Sequence, residues 1–367
     1  MGSDLGDAAL RVGVVGLSAS RGFAAGTHVP ALAALLGYEV RGLVASSPER
    51  SAAAAAEHGV PLTFADAAEL AASDEIDLVV VTVKVPEHER LIRQTLVAGK
   101  PILCEWPLGN GLVEAEELAE AAAELGVRTA VGLQARSAPA VRFLRDLVAD
   151  GYVGEVLSST IVGSGGGWGA EVATAADRYT IDVANGATLL TIPMGHALDA
   201  VCFVLGELGD VRASAAIRRP LVHDIETDAM VPMNTPDQIA VSGLLPEGGV
   251  FSAHYRSGMC RATNLRWEIN GTEGDIVVTG AFGHVQLADL ALRGGRGEDA
   301  ALTPLEVPGG YNLVPALAGQ PARVLNVGNA YAQLLEDLCT GSTVIPDFAH
   351  AARRHSLLDQ IETAARA

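Results

Sequence analysis

Lysine is almost missing from this chain: Lys84 and Lys100 are the only two in 367 residues. Arginine carries the rest of the basic charge, and there is little of it. Lys and Arg number 25 against 44 Asp and Glu, so the formal net charge is -19. A nucleic-acid footprint needs a basic patch, and that class is excluded as a direct partner. A local positive site for one phosphate is not. Cysteine is scarce and scattered, at Cys104, Cys202, Cys260 and Cys339. No CxxC pair or Cys/His cluster occurs, so neither a zinc site nor a disulfide framework is signalled, and no metal ligand set is expected. Four unclustered thiols fit a reducing, cytoplasmic interior. No apolar run approaches the ~20 residues of a membrane helix. Met1 to Leu10 is polar and acidic, unlike a secretory leader.

Apolar residues make up 49% of the chain and charged residues only 19%, which implies well-filled cores. The length is too great for one ordinary core, so two domains are expected. Residues 10–133 alternate strand and helix signals. Strand signals fall at Leu10–Val15, Glu39–Val44, Asp77–Val83, Pro101–Cys104 and Arg128–Gly132. Helix signals fall between them at His28–Leu36, Pro48–His58, Glu87–Ala98 and Leu112–Leu125. Asp77–Val83 (DLVVVTV) is a continuous β-branched run, as in a parallel strand buried on both faces. The rhythm predicts an α/β domain with a doubly wound parallel sheet over residues 1–134.

Beyond Gln134 the pattern changes. A helix is expected at Ala138–Asp150 and another at Ile192–Leu205. Strand-like segments recur at Val156–Val162, Val211–Ile217, Gln238–Leu244, Val250–Tyr255, Arg266–Asn270, Asp275–Thr279 and His284–Ala288. They predict an α+β second domain over 135–347, with a large open mixed or antiparallel sheet. Helices are expected at Val327–Cys339 and at 348–365, the last able to pack back on the first domain.

The first strand runs into Gly16-Leu17-Ser18-Ala19-Ser20-Arg21-Gly22 and then a helix. Glycines there let backbone approach a pyrophosphate, and the helix N-terminus offers N–H groups. The match to G-x-G-x-x-G is imperfect, because Ser18 holds the second glycine position and the third is displaced to Gly22. Gly16, Leu17, Ser18, Ala19, Arg21 and Gly22 are the candidate phosphate-turn residues. The second strand ends in Val44-Ala45-Ser46-Ser47-Pro48-Glu49-Arg50. An NAD enzyme usually places an acid here for the ribose 2′-hydroxyl. Ser46, Ser47 and Arg50 suit a 2′-phosphate better, so NADP is preferred over NAD. Ser47 also suits a helix cap, and Glu49 offers a carboxylate for the hydroxyl instead.

The order of these elements resembles the glucose–fructose oxidoreductase/inositol dehydrogenase family. The resemblance rests on Val12-Gly13-Val14-Val15-Gly16-Leu17 and on Thr82 with His88. It extends through Ala98 to Glu105, Gln134-Ala135-Arg136, Gly151-Tyr152-Val153-Gly154 and Gly195-His196-Ala197-Leu198-Asp199. It covers residues 10 to 280. A closer likeness is to the branch of that family containing the yeast galactose-regulon repressor, in which the dehydrogenase function is lost. That likeness lies in Gly16–Gly22, Glu105-Trp106, Leu133–Arg136, Gly166-Gly167-Trp168-Gly169 and Asn185-Gly186. The family implies an NAD(P)-binding Rossmann domain, a sugar-like substrate, and a homodimer or homotetramer through the C-terminal sheet. It also implies cofactor contacts at Thr82, Val83, Lys84, His88, Glu105, Trp106 and Gln134.

Family members oxidise a hydroxyl with a lysine, an aspartate and a histidine around it. His196 matches the histidine, and Asp199, one helical turn on, is placed to orient it. The lysine of Glu-Lys-Pro is replaced by Trp106, and the aspartate position holds Ile192. Indole N–H donates but cannot take a proton. Lys84, at the end of its strand, is the substitute candidate. Trp106, Trp168, Tyr179, Asp182, Asn185 and His196 are the candidate substrate contacts. Two readings stand open: a sugar or polyol oxidoreductase, and a catalytically silent dinucleotide-binding regulator.

Overall fold

A computed structural model describes residues 9–366 of the chain. These divide into two units, 9–134 with 312–355 and 135–311 with 356–366. The sequence reading ran the second domain without a break to residue 347. Instead, residues 312–347 belong to the first unit, because helix 322–340 supplies Val324, Val327, Tyr331 and Leu334 to that unit's core.

Unit 1 is built on six parallel strands: β1 (Leu10–Val15), β2 (Tyr38–Val44), β3 (Leu62–Thr63), β4 (Leu78–Val81), β5 (Ile102–Glu105) and β6 (Thr129–Gly132). Their order is β3-β2-β1-β4-β5-β6, the doubly wound order, with the reversal between β1 and β4. The strands read as unbroken apolar runs because both faces are covered. Val12 and Val14 of β1 join a core with Ala31 and Leu32 of α1 (Val29–Ala33). On the other face, a Cβ at Gly13 would strike Leu70 of α3 (Ala67–Ala72) at 2.5 Å. The remaining crossover helices are α2 (Pro48–His58), α4 (His88–Leu96) and α5 (Leu112–Glu124). α1 is shorter than the helix read at His28–Leu36, since the preceding turn, Ala24–His28, is a π-helix. β3 and α3 carried too few periodic residues to register in the sequence.

Unit 2 contains α6 (Pro139–Ala149), β7 (Val156–Ser164), β8 (Glu171–Val172) and α7 (Gly195–Leu205). Strands β9 (Gly209–Ala216), β10 (Leu221–Asp224), β11 (Ala229–Pro232), β12 (Gln238–Leu244) and β13 (Val250–Arg256) follow. β14 (Leu265–Gly271), β15 (Gly274–Gly280), β16 (Ala291–Arg296) and β17 (Thr303–Leu305) complete it. Eight of these form a mixed sheet in the order β17-β16-β15-β14-β7-β13-β12-β9. β7 pairs parallel with β13, and the other pairs are antiparallel. Period-2 alternation is clean: Ile161, Ile239, Phe251, Tyr255, Trp267 and Ile269 are buried, while Thr160, Ser242 and His254 are exposed. A small second sheet, β11-β10-β8, lies in residues 171–232.

His284–Ala288, read as a strand, is a turn. The N–H groups of Leu287 and Ala288 both donate to the His284 carbonyl, and residues 283–286 are buried in succession with no alternation. The helix read at Ile192–Leu205 is a π-turn, Leu190–Met194, leading into α7, with Pro193 unable to donate an N–H inside the turn. α8 (Ala322–Thr340) lies in unit 1, and α9 (Phe348–Arg366) has its residues to His355 in unit 1 and the rest in unit 2.

Candidate functional site

In unit 1 the strands bring the cofactor candidates to the C-terminal ends of β1, β4 and β5. Gly16 follows β1 with φ +104°, and its N–H donates to Val44 O at 2.8 Å. A Cβ there would meet Val83 Cγ1 at 2.7 Å and the Thr82 carbonyl carbon at 3.1 Å. Only glycine takes this conformation and this closeness cheaply. Thr82 fastens the two strand ends together: its N–H and hydroxyl both donate to Val15 O, at 2.9 and 3.0 Å. Gly22 is also at positive φ, +96°, and Arg21 beside it is exposed. Leu17 is buried in the core, so it supports the turn from beneath. His58, at the end of α2, places Nε2 2.9 Å from Ser18 O and ties the turn to α2. Sequence reading missed His58, because a lone helical histidine carries no motif.

At the end of β2, Arg50 donates from Nη1 to Ser46 Oγ at 2.7 Å, and both side chains are exposed. Ser47 caps α2, accepting from the Arg50 N–H at 3.3 Å. Glu49 lies in the same first turn, and a hydrogen bond from Ser47 holds its carboxyl below the usual range. An exposed guanidinium and the serine hydroxyl it bonds therefore lie together at this strand end. The glycine cradle and open strand ends together fit a dinucleotide.

Lys84 is exposed at the end of β4. His88 is buried, with Nδ1 2.9 Å from Pro107 O and Nε2 3.0 Å from Val83 O. Burial lowers its pKa while those carbonyls pull the other way. His88 thus fastens the end of β4 to the segment after β5. Glu105 ends β5. Gln134 Nε2 donates to both of its carboxylate oxygens at 2.8 Å. The next peptide, Trp106–Pro107, is cis. Trp106 is only 5% exposed, with its ring 4.7 Å from that of His355 on α9. His355 is itself buried; its Nε2 has no hydrogen-bond partner, and burial, with the charge of His88, pushes its pKa down to about 4. The residue at the motif's lysine position is therefore buried against His355 in unit 1.

In unit 2, α7 carries His196 and Asp199. Asp199 is fully buried and takes Arg136 at both oxygens, from Nε at 2.6 Å and Nη2 at 3.0 Å. The same guanidinium lies over the Phe203 ring at 4.8 Å. His196 is 3% exposed, and its Nδ1 has no hydrogen-bond partner. Burial, then the charge of His284, pushes its pKa down to about 3, against a pull upward from Asp199. His284 is also buried, with Nε2 2.5 Å from Gly165 O and a pKa near 4. It stacks with Trp168, centroids 5.8 Å apart. Trp168 sits at φ +55° in the glycine-rich loop and donates from Nε1 to Ala187 O at 2.9 Å. The loop is thereby a pinned structure next to the histidines.

Asp182 and Asn185 serve their own segment. Asp182 accepts from Ala184 N–H and from Asn234 Nδ2, at 3.1 and 3.0 Å, and Asn185 donates to Tyr179 O at 2.9 Å. Tyr179 is partly buried, which raises its phenol pKa. A cavity of about 420 Å³ in unit 2 is lined by Val183, Leu190, Ile239, Ile361 and Glu362 and contains none of the candidate residues. Among the described residues no Cys/His/Asp/Glu group has the arrangement to hold a metal ion. No helix there is long and apolar enough to cross a membrane. Sequence reading missed Arg136 and His284 as neighbours of the His196 helix. Arg136 had been quoted only within a resemblance, and His284 only as the start of a strand.

Comparison with known proteins agrees with this division. Residues 10–133 match the model of the oxidoreductase family with an NAD-binding Rossmann fold, and residues 139–280 match the Gal80p C-terminal domain. The galactose/lactose metabolism regulatory protein GAL80 of Saccharomyces cerevisiae is 30% identical over 307 residues, 78% of this chain and 70% of that protein. Dehydrogenase aclE of Aspergillus oryzae is 32% identical over 284 residues, 74% of this chain and 77% of that protein. A solved super-repressor mutant of Saccharomyces cerevisiae Gal80p superimposes with a TM-score of 0.88 at 25% identity, covering 98% of this chain and 96% of that one. The chain belongs to the Gfo/Idh/MocA oxidoreductase family, with an NAD-binding Rossmann domain and a Gal80p-like C-terminal domain.

Proposed function

We propose that the chain is an NAD(P)-dependent oxidoreductase acting on a CH–OH group of a sugar, polyol or related compound, with NADP preferred. The observation that carries this reading is His196 Nδ1, a buried nitrogen without a hydrogen-bond partner. With its pKa near 3, His196 is neutral at physiological pH, and in the tautomer with its hydrogen on Nε2 the unpartnered Nδ1 accepts from a hydroxyl. A bound dinucleotide supplies the acceptor for the hydride, which leaves carbon with both C–H bonding electrons. The hydroxyl proton then passes toward His196 Nδ1 as the carbonyl forms. Gly16, Thr82 and Gly22 shape the pyrophosphate turn, and Ser46 with Arg50 takes a 2′-phosphate. Trp168 gives unit 2 an aromatic wall for a polyhydroxylated ring. Assembly as a homodimer or homotetramer through the eight-stranded sheet is part of the proposal; Leu244 and Val250, paired on that sheet, are 38% and 56% exposed.

The test is absorbance at the reduced-nicotinamide band, with NADP or NAD and a panel of sugars and polyols. Turnover with at least one compound is expected, and His196→Ala should lower it by roughly 10²–10⁴-fold. An unaffected rate in that variant removes His196 from the chemistry. Tight dinucleotide binding without turnover on any compound favours the second reading, a catalytically silent dinucleotide-binding regulator. Trp106 is the observation behind that second reading: a buried indole fills the position of the family's lysine.

A further inference from the structure

Glu105 is held by more than the motif that announces it. Its carboxylate lies over Gly132, where a Cβ would come within 2.5 Å of Oε1 and 2.7 Å of Cδ. Gln134 donates to both oxygens from one side. On another, His28 Nε2 stands 3.0 Å from Oε1, without the alignment of a hydrogen bond. His28 is 1% exposed and belongs to the π-turn that follows the phosphate turn. Its Nδ1 is 2.7 Å from the hydroxyl of Tyr331 on α8. Tyr331 is fully buried and keeps its proton, since burial and the charge of Glu105 raise its pKa far above the ordinary phenol value. It can therefore donate to Nδ1, and in that tautomer the imidazole hydrogen is on Nε2, the nitrogen nearest Glu105. Tyr38 in turn donates from its hydroxyl to Tyr331 O at 2.8 Å.

We infer that His28 and Tyr331 are positioning residues that set the Glu105 carboxylate for the nicotinamide half of a bound dinucleotide. The inference rests on the dinucleotide reading above. The doubly wound sheet consists of two mononucleotide halves, and the phosphate turn and Ser46/Arg50 belong to the half containing β1 and β2. β5 belongs to the other half, so Glu105 serves the nicotinamide side. A cluster that orders only Glu105 discriminates between the two halves of the ligand. A cluster that merely holds the fold does not.

The experiment is calorimetric titration of wild type, Tyr331→Phe and His28→Gln with NADP, NAD and ADP. ADP lacks the nicotinamide half. Each variant should bind the preferred full dinucleotide about tenfold more weakly, a loss of about 1.4 kcal/mol. ADP affinity should stay within twofold. In a Glu105→Gln background the same substitutions should cause no further loss, because they act through that carboxylate. Equal weakening of ADP and dinucleotide, or no change in either, overturns the inference. Wild-type protein that binds neither NADP nor NAD removes the dinucleotide reading as well. If Tyr331→Phe does not fold, His28→Gln carries the comparison alone.

Discussion

Asp199→Ala separates an anchoring role from a catalytic one. Asp199 is fully buried and receives two charge-assisted hydrogen bonds from Arg136. Removing one partner of a buried pair leaves the other charged and unpaired, at a cost of about 3–5 kcal/mol. The Arg136 side chain is 16% exposed and rests on the Phe203 ring, so part of its charge returns to water. The low end, about 3 kcal/mol, is therefore expected. In a unit of this size that corresponds to a melting-temperature fall of about 6–12 °C. Thermal unfolding followed by far-ultraviolet circular dichroism reads this directly. Asp199→Asn keeps the shape and loses the charge, and should fall between wild type and Ala. If Asp199→Ala melts within about 2 °C of wild type, a shift worth under 1 kcal/mol, while turnover vanishes, the anchoring argument is wrong. The carboxylate then acts on His196 instead.

The buried histidines make stability acid-sensitive. His196 has a pKa near 3, and His284 and His355 near 4, all below the ordinary 6.5. Between those values the unfolded chain binds the extra protons, so stability is full above pH 6.5 and is lost toward pH 4. Each group contributes about 1.4 kcal/mol per pH unit in that window, so the urea midpoint should fall steeply from pH 7 to pH 5; a flat midpoint contradicts the assigned burial. Arg50→Ala should weaken NADP about tenfold, or 1.4 kcal/mol, and leave NAD unchanged. Equal losses for both cofactors would show that Arg50 does not read the 2′-phosphate.

The doubly wound half was legible because its strands are continuous apolar runs punctuated by Gly16, Gly59, Gly99 and Gly126. The alternating strands of unit 2 were legible for the same reason, with period 2 replacing the unbroken run. The short hairpin β10–β11 was not, since Leu221, Ile225 and Met230 are all more than half exposed and break the alternation. Part of the candidate site was visible as motif: the glycine turn, Glu105-Trp106 and His196. Its supporting residues were not. His28 and Tyr331 are 303 positions apart, and Arg136 and Asp199 are 63 apart. No local pattern announces such pairs; only the folded sheet and its helices bring them together. Trp106 shows the converse. Its identity was plain in sequence, but its burial against His355 became evident only in the fold.

The proposed function depends on the end of β1 gripping a dinucleotide. Titrating NADP and NAD into wild type and Gly16→Ala tests it most directly. Wild type should show one site per chain, with NADP bound more tightly than NAD. That site should be lost in Gly16→Ala, whose Cβ would strike Val83 and demand a φ of +104° from alanine. A wild-type protein that binds neither dinucleotide, or a Gly16→Ala protein that binds as tightly as wild type, contradicts it.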